Sequence, residues 1–296
     1  MKSSGREALL VESGSGLRFF DSRGEVFIPY CGQTFEASRI GIENRRIEGL
    51  TPTRSTSPFA IFPDSIYFPE VSTPLLLVRS KHSMTLTIHL LRHGQTALSR
   101  EDVFCGSGLD PELTREGLEM AQAFAAAYRA KPWRAIYSSS LRRGIATAQP
   151  LSDELGIAMR VRADLNEISY GKWEGSSKEK VDKQYHDDYL SWLADPAWHA
   201  PTGGEQAIAV ARRGLGVIDE IKQEFDQGNI LIVSHKATIR IILCSLLGID
   251  VGRFRYRIGC PVGSVSVVEF SSSGPLLHTL ADRSHLSDAL RSLPGT

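Results

Sequence analysis

The chain has 296 residues, which is enough for one large domain or two small ones. Its 34 Lys and Arg residues balance its 34 Asp and Glu residues, so no overall positive field attracts nucleic acid or an anionic membrane surface. No apolar run reaches the roughly 18 residues of a membrane-spanning helix, and the four cysteines lack the spacing of metal ligands. We therefore expect a cytoplasmic protein without a nucleic-acid or membrane partner.

Residues 1–83 differ in composition from the rest of the chain. Prolines interrupt short apolar clusters there, and no apolar periodicity of helix length occurs. Residues 25–30 are one example of the short strands that this region could form. We predict that residues 1–83 are a poorly ordered N-terminal extension without chemistry of its own. Met84 lies directly before the first strand of the next region, so a natural start at this methionine is an alternative.

From Met84 onward, strand and helix patterns alternate. The apolar alternation of residues 86–91 predicts a buried strand, which ends in a turn at Gly94. Residues 97–113 are rich in Gly and polar side chains and are predicted to form a loop. Thr114 then occupies the N-cap position of a helix.

The same alternation continues to the end of this region. Further strands are predicted at residues 134–138, 159–162, 229–233, 264–270 and 276–280, and further helices from residue 141 and at residues 177–193 and 204–225. Pro150 is expected to kink or split the helix that contains it. The pattern predicts an α/β fold of three layers, α/β/α, with a mostly parallel central sheet. Residues 287–296 are predicted to be a frayed C-terminal tail.

Two histidines directly follow predicted strands. His93 stands beside Arg92 after the strand at residues 86–91, and His235 follows the apolar residues 230–233 and Ser234. Ligands of open α/β sheets bind where strands end, so we expect both histidines to face one cleft. An imidazole can act as a nucleophile or as an acid and base, and a guanidinium offers a planar fork for phosphate oxygens. These residues therefore suit an anionic substrate.

Five motifs occur in order between residues 84 and 286. They are Arg92-His93-Gly94-Gln95-Thr96; Ser138, Ser139, Leu141, Arg143, Thr147 and Ala148; Glu167, Gly171, Trp173, Glu174 and Gly175; Gly203-Gly204-Glu205; and Ser234-His235. In this order they resemble the histidine phosphatase superfamily, also called the phosphoglycerate mutase-like family, on its phosphatase branch. The resemblance implies that residues 84–286 are a catalytic domain with the phosphoglycerate mutase-like fold.

The resemblance also implies a mechanism with a phosphohistidine intermediate on His93. Arg92 and Arg143 would clamp the phosphoryl oxygens, and His235 would hold the phosphoryl group. Glu167 would protonate the leaving oxygen and then activate water. No metal and no cofactor are expected, because two arginines and two histidines supply the positive charge.

Further substrate-binding residues are expected at Thr96, Ser99, Gly106 and His285. Ser99 stands where the family often has Asn, and its hydroxyl can still donate to a phosphate oxygen. His285 lies in a segment that resembles the family's ending only in part, and it is a candidate ligand for a substrate carboxylate. Lys236 replaces a small residue after the distal His, where it would either add positive charge or face solvent.

The sequence also gives predictions for four further residues. Glu174 is a rival to Glu167 as the acid, whereas Trp173 is expected to be a packing residue. His89 alternates with apolar neighbours and is predicted to be a core histidine. Cys244 is predicted to be a buried thiol in an apolar helix.

The predicted function is hydrolysis of a phosphomonoester in a small phosphorylated metabolite. Phosphoserine and a sugar or glycerate phosphate are the favoured substrates, and fructose bisphosphate and α-ribazole phosphate stay open. Phosphoglycerate mutase and a degenerate phospho-ligand binding protein are the alternative functions. Loops at residues 97–110 and 174–202 are expected to set leaving-group specificity. The sequence leaves the oligomeric state open between a monomer and a homodimer.

Overall fold

The computed structural model describes residues 85–101 and 103–295, and the backbone of three short strands before them. The chain divides into two compact units, Met1–Thr73 and Pro74–Thr296. In the first unit, β1 (Leu9–Ser13), β2 (Gly16–Phe20) and β3 (Val26–Phe27) form an antiparallel sheet in that order. Strand β3 lies within the strand predicted at residues 25–30. The rest of the predicted poorly ordered extension lies outside the described residues.

A six-stranded sheet forms the centre of the second unit. Its strands are β4 (Leu86–Arg92), β5 (Trp133–Ser138), β6 (Met159–Val161), β7 (Gly228–Ser234), β8 (Val265–Ser271) and β9 (Gly274–Asp282). They lie in the order β6-β5-β7-β4-β8-β9. Strands β6, β5, β7 and β4 are parallel, whereas β8 is antiparallel to both β4 and β9. The prediction of a mostly parallel sheet is confirmed.

Helices connect and cover these strands. They are α1 (Ala97–Arg100), α2 (Arg115–Tyr128), α3 (Arg142–Leu155), α4 (Lys178–Gln184), α5 (His186–Ala194), α6 (Ala207–Glu224), α7 (Lys236–Leu246), α8 (Phe254–Arg257) and α9 (Asp288–Arg291). Short 3-10 helices occur at Ala163–Leu165, Gly171–Trp173 and Val251–Arg253. In the described part of the chain, every helix is too short or too polar to cross a membrane.

Successive side chains of the central strands pack into two different cores. Leu90 of β4 and Ile232 of β7 join the core that contains α6 and α7. Leu91 and Val233, one residue further along, join the core that contains α2 and α3. Side chains alternate between the two faces of a strand, so a nearly continuous apolar run buries both faces. The three-layer α/β/α architecture is therefore confirmed.

Two local predictions differ in outcome at the start of the domain. Thr114 is the N-cap of α2, because its Oγ1 accepts a hydrogen bond of 3.0 Å from the Gly117 N–H, and this prediction is confirmed. The prediction of a loop throughout residues 97–113 is wrong at its beginning, where α1 forms. A capping box of Thr96 and Ser99 satisfies backbone N–H groups of this short helix.

The expected helices also need correction. Helix α3 runs through Pro150 without a split. Ala148 and Leu151 beside it are buried in a core, and this packing outweighs the hydrogen bond that a proline removes. The helix predicted at residues 177–193 is instead divided at Tyr185 into α4 and α5.

The C-terminal segment is folded rather than frayed. Residues 287–295 include α9, and Leu290 packs with Met120 and Val262 in a small core. The carbonyl of Pro294 also accepts a hydrogen bond of 2.7 Å from the Gln95 side chain. The apolar partner Met120 and the hydrogen-bond partner Gln95 lie far from this segment in sequence. The composition of the segment therefore did not indicate that it is folded.

His89 is a core histidine, as predicted, with 1% of its surface exposed. Its Nε2 is hydrogen-bonded to Asn229 Oδ1 at 3.0 Å, and its ring lies edge-on to Trp133. Burial lowers the pKa of His89 from 6.5 to about 4, and the hydrogen bond to Asn229 opposes this only in part. His89 is therefore neutral in the folded protein at pH 7.

Replacing His89 with Gln is expected to reduce the loss of stability in acid. Between pH 6.5 and pH 4 the unfolded chain binds a proton at His89 that the folded chain does not bind. The free energy of unfolding is thus unaffected by the titration of His89 above pH 6.5. As the pH falls toward 4, protonation of His89 in the unfolded chain lowers this free energy by about 3 kcal/mol. Urea unfolding at several pH values measures this. Parallel stability profiles of the variant and the unchanged protein would contradict it.

Candidate active site

The carboxyl ends of β4 and β7 lie side by side. Arg92 is opposite Ser234 in the parallel register, and the His93 N–H donates to the Ser234 carbonyl at 3.0 Å. The residues that follow the two strands are consequently neighbours. The ring centroids of His93 and His235 are 5.0 Å apart, so the structure brings the two predicted histidines together.

A cavity of about 550 Å³ opens at this edge of the sheet. Among the residues that line it are Arg92, His93, Thr96, Ser99, Arg143 and Glu167, all of which were predicted site residues. The chain delivers them from the end of β4, from α1, from α3 and from the loop before the second 3-10 helix. This volume is in the range of small-molecule sites.

His93 presents a neutral imidazole to this cavity. Its Nδ1 lies 2.7 Å from the carbonyl oxygen of Gly94, which can only accept, so Nδ1 carries the proton. The lone pair is therefore on Nε2. Burial lowers the pKa of His93 well below 6.5, and the guanidiniums of Arg143 and Arg92 lower it further. A neutral ring with an unprotonated Nε2 is the form that can act as a nucleophile.

An NMR titration should detect this low pKa directly. The ring signals of His93, identified by their loss in His93→Ala, are expected to stay those of the neutral form as the pH falls through 6.5. The ring protonates only at lower pH, because burial and two nearby cations disfavour its charged form. Arg92→Met removes one of these cations and is expected to raise the midpoint. A midpoint at 6.5 or above in the unchanged protein would refute the prediction.

His235 and Arg143 form a buried pair next to His93. His235 is fully buried, and its Nδ1 accepts a hydrogen bond of 3.2 Å from Nε of Arg143. Since an arginine can only donate, the proton of the neutral His235 ring is on Nε2, which donates to Ser139 Oγ at 2.8 Å. Burial lowers the pKa of His235 as well, followed by the charge of Arg143.

Arg143 is held in one orientation by backbone carbonyls. Its Nη1 donates to the Leu109 carbonyl at 2.7 Å, and its Nη2 donates to the Gly106 carbonyl at 3.0 Å. Asp110 approaches Nη1 at 3.7 Å. Gly106, a predicted substrate-binding residue, therefore orients Arg143 in this structure and is not among the residues that line the cavity.

Arg92 is also held in place by backbone carbonyls. Its Nη1 donates to the carbonyls of Cys260 at 2.6 Å and Gly295 at 3.0 Å. Its Nε is buried and has no hydrogen-bond partner in the described part of the chain. A buried charged donor without a partner is costly, and an anionic ligand in the cavity would remove that cost.

Glu167 lines the cavity and also caps a helix. Its Oε2 accepts a hydrogen bond of 3.1 Å from the Ala237 N–H, and its Oε1 accepts one of 3.1 Å from the Thr238 N–H. These N–H groups belong to the first turn of α7, where no helical carbonyl is available to them. The carboxyl group is thus held at a fixed position, 5% exposed, at the positive end of α7.

Two residues of the motifs join the loop after β4 to helices α2 and α3. A Cβ at Gly94 would lie 2.3 Å from the Gly117 carbonyl oxygen, so only glycine permits α2 to approach this closely. The Gly94 N–H donates to Thr147 Oγ1 at 3.0 Å, and that hydroxyl donates to the Arg143 carbonyl at 2.7 Å. Thr147 therefore links the His93 loop to the helix that carries Arg143, a positioning role that sequence reasoning did not assign.

Some predicted residues lie elsewhere. His285 is not among the residues lining the cavity and instead packs edge-on against Phe124 and Tyr128, with ring centroids 5.6 Å and 5.8 Å away. Glu174 does not line the cavity either, and its Oε1 accepts from the N–H groups of Gly108 at 3.1 Å and Tyr170 at 3.2 Å. Glu174 thereby connects the two loops that contain Gly108 and Tyr170.

The remaining structural predictions are confirmed. Trp173 is fully buried in an aromatic cluster that includes Tyr189 and Trp192. Cys244 is a fully buried free thiol. Lys236 lines the cavity, so the structure favours added positive charge over a purely solvent-facing position.

The Gly203-Gly204-Glu205 motif stabilises the loop that contains Glu167. Glu205 forms a two-pronged ion pair with Arg213, at 2.9 Å to Nε and 3.0 Å to Nη2. Arg213 also donates to the carbonyls of Asp164 at 2.6 Å and Asn166 at 2.8 Å, just before Glu167. Sequence reasoning missed Arg213, whose only sequence signal is its position eight residues after Glu205 on an expected helix.

The cavity has a strongly positive lining. Its cations are Arg92, Arg143, Lys178, Lys236, Arg240 and Arg255, and Glu167 is the single carboxylate among the described residues that line it. The formal net charge of the whole chain is +0, so this positive charge is concentrated locally. Such a cavity favours a ligand with more than one negative charge. Sequence reasoning did not identify Lys178, Arg240 or Arg255.

A model of the histidine phosphatase superfamily (branch 1) matches residues 88–283. Phosphoserine phosphatase 1 of Hydrogenobacter thermophilus is 28% identical over 199 residues, which cover 67% of this chain and 93% of that protein. Glucosyl-3-phosphoglycerate phosphatase of Mycolicibacterium vanbaalenii is 32% identical over 200 residues, which cover 65% of this chain and 85% of that protein. The matched region contains every residue described above as lining the cavity.

A solved structure has the same fold. Phosphoserine phosphatase from Entamoeba histolytica, in complex with 3-phosphoglyceric acid, superposes with a TM-score of 0.60 at 25% sequence identity. The match covers 68% of this chain and 100% of that one. The architecture of the second unit is therefore that of the phosphoglycerate mutase-like structures.

Proposed function

Since this chain belongs to the histidine phosphatase superfamily and is a phosphomonoester hydrolase, we propose that it acts on a small phosphorylated metabolite through a phosphohistidine on His93. Phosphoserine and a sugar or glycerate phosphate are the favoured substrates. The observation that carries the proposal is the neutral imidazole of His93, with its lone pair on Nε2, in a cavity lined by Arg92 and Arg143.

In the first half-reaction, Nε2 of His93 attacks phosphorus and the bond to the leaving oxygen breaks. Arg92 and Arg143 bind the non-bridging oxygens, on which the charge of the transition state is spread. Glu167 gives a proton to the leaving oxygen, so the product leaves as an alcohol. The backbone carbonyls that hold both arginines support this assignment, because a fixed cation needs no reorganisation during the reaction.

In the second half-reaction, water replaces the imidazole on phosphorus. Glu167 accepts a proton from the water as its oxygen attacks, the N–P bond breaks, and inorganic phosphate leaves. His93 returns to its neutral form, with Nδ1 donating to the Gly94 carbonyl. The low pKa of His93 supports this step, because an unprotonated imidazole is ready for the next turnover.

His235 supports the phosphoryl site through Arg143. Its Nδ1 accepts from Arg143 Nε and so orients the guanidinium. Direct binding of the phosphoryl group, expected for His235 from the sequence, requires Nε2 to exchange its hydrogen bond with Ser139 for one with a phosphoryl oxygen. Thr96 and Ser99 line the cavity at the start of α1 and both have hydroxyl groups, which supports their expected role in binding.

The first experiment is phosphate release by the purified protein in the presence of a chelator. The panel contains p-nitrophenyl phosphate, phosphoserine, 3-phosphoglycerate, fructose bisphosphate and α-ribazole phosphate. We expect release that resists the chelator, because two arginines supply the charge stabilisation at phosphorus. The substrate with the highest kcat/KM identifies the metabolite class.

Isomerisation of 3-phosphoglycerate is followed in the same samples. Isomerisation without net phosphate release would replace the proposal by a mutase. Binding without either reaction would replace it by a phospho-ligand binding protein. Release that stops with the chelator would overturn the proposed independence from metal.

A further inference from the structure

The cavity carries more positive charge than one phosphoryl group uses. Beyond Arg92 and Arg143, it is lined by Lys178 of α4, by Lys236 and Arg240 of α7 and by Arg255 of α8. These four cations come from three helices, of which α4 is distant in sequence from α7 and α8. Their shared position on one cavity indicates a ligand with a negative group in addition to the transferred phosphate.

Arg255 is the best defined of these cations. Its guanidinium carbon lies 3.9 Å from the centroid of the Trp192 ring, and Trp192 is buried. Stacking of this kind fixes the plane of a guanidinium. Its Nη1 is buried and has no hydrogen-bond partner among the described residues. Arg255 is thus a positioned cation with an unused donor.

Among the described residues, no carboxylate forms an ion pair with Arg255 or with its neighbour Arg240. Within residues 85–101 and 103–295, neither Arg240 nor Arg255 forms an ion pair with Asp or Glu, although Arg213 pairs with Glu205 and Arg160 pairs with Glu224. Both unpaired arginines are partly buried and line the cavity. A partly buried charge without a counter-ion is unfavourable, and an anionic ligand would compensate it.

Arg240 holds the backbone that carries Arg255. Its Nε donates to the Ile258 carbonyl at 2.6 Å, and its Nη2 donates to the Arg255 carbonyl. These bonds tie α8 to α7, the helix whose first turn binds Glu167. The position of Arg255 is therefore coupled by direct contacts to the part of the cavity where the reaction is proposed.

We propose that Arg255, with Arg240 beside it, binds a second anionic group on the leaving-group side of the substrate. The substrate class is then a phosphomonoester whose alcohol also carries a carboxylate or a second phosphate. A guanidinium binds either group through two parallel hydrogen bonds. This inference rests on the proposed function, and it assigns the leaving-group specificity to Arg255 on α8, outside the loops where the sequence placed it.

Two pairs of substrates test this inference. Phosphoserine and phosphoethanolamine differ by a carboxylate, and fructose 1,6-bisphosphate and fructose 6-phosphate differ by a phosphate. Arg255→Met keeps an apolar stem over Trp192 and removes the charge. It is expected to lower the ratio of kcat/KM within one of these pairs by about 30-fold, mainly through KM. The pair that responds identifies the second group as a carboxylate or a phosphate.

Matched variants separate charge recognition from a general disturbance. Arg257 is exposed on the same helix and does not line the cavity, so Arg257→Met should leave both ratios unchanged. Arg255→Lys retains the charge and should restore part of the ratio. Unchanged ratios in Arg255→Met, or an equal fall for all four substrates, would overturn the inference.

A binding measurement distinguishes failure of the inference from failure of the proposed function. Calorimetry with phosphoserine and phosphoethanolamine, and with the two fructose phosphates, is done in His93→Ala with and without Arg255→Met. If the unchanged enzyme hydrolyses none of the panel but Arg255→Met abolishes the preference in binding, the second anion site stands and the proposed function fails. If turnover occurs and Arg255→Met changes neither the ratios of kcat/KM nor the preference in binding, the proposed function stands and the second anion site fails.

Discussion

Replacing His93 with Ala is expected to lower kcat by a factor on the order of 10⁵. The variant lacks the nitrogen that would attack phosphorus, and no neighbouring group takes its place, because His235 has both ring nitrogens engaged with Arg143 and Ser139. The phosphoenzyme should disappear together with the turnover. Steady-state phosphate release and trapping of ³²P-labelled protein in alkali, where a phosphohistidine is stable, measure the two effects.

His89→Gln is the matched control for this variant. His89 lies on the same strand as Arg92, four residues before His93, but faces a core and does not line the cavity. It should retain turnover and labelling while its stability profile changes in acid. If His93→Ala kept labelling, or lost less than about tenfold in kcat, the nucleophile would have to be another residue.

Replacing Glu167 with Gln is expected to lower kcat/KM for phosphoserine by about 10²- to 10⁴-fold. The amide cannot supply the proton that an alkoxide leaving group needs. Nitrophenolate leaves without protonation, so kcat/KM for p-nitrophenyl phosphate should fall much less. Comparison of kcat/KM for the two substrates is the measurement, because kcat/KM reports on the first half-reaction and not on the attack of water that both substrates share.

This comparison also separates catalysis from helix capping. Glu167 accepts hydrogen bonds from the N–H groups of Ala237 and Thr238, so its replacement also disturbs the start of α7. A loss of capping alone would reduce kcat/KM of both substrates by the same factor, and that outcome would exclude Glu167 as the acid that protonates the leaving oxygen. The midpoint of urea unfolding reports how far the fold is affected.

Glu174→Gln provides the control for the carboxylate. Glu174 was the rival acid in the sequence, and it lies near the cavity without lining it. Its amide oxygen can still accept from the Gly108 and Tyr170 N–H groups, so the loops should remain in place. A larger effect on phosphoserine than on p-nitrophenyl phosphate in this variant would assign the acid role to Glu174 instead.

The proposed substrate class and the proposed mechanism depend on different parts of the cavity. The mechanism rests on groups at the ends of β4 and β7 and on α3, which are held by backbone hydrogen bonds. Recognition of a second anion rests on α8, which is attached to the site through Arg240. Variation in α8 could therefore change the preferred substrate while His93 and its arginines stay in place.

The sequence by itself determined the parts of this protein that depend on neighbouring residues. Alternation of apolar side chains located the strands that bury both faces, and Thr114 located the start of α2, because these signals arise within a few residues. It also determined that Arg92, His93 and His235 lie at the ends of strands. In a parallel sheet the strand ends share one edge, so their meeting could be expected without coordinates.

Only the tertiary structure decided which other side chains reach that edge. It placed Arg240 and Arg255 on the cavity, kept Glu174 out of it and packed His285 against Phe124. It also folded the C-terminal segment onto the domain, so that the Gly295 carbonyl meets Arg92. These placements depend on how distant helices pack against one another. No periodicity within a segment carries that information, because the contacts join residues that lie far apart in the chain.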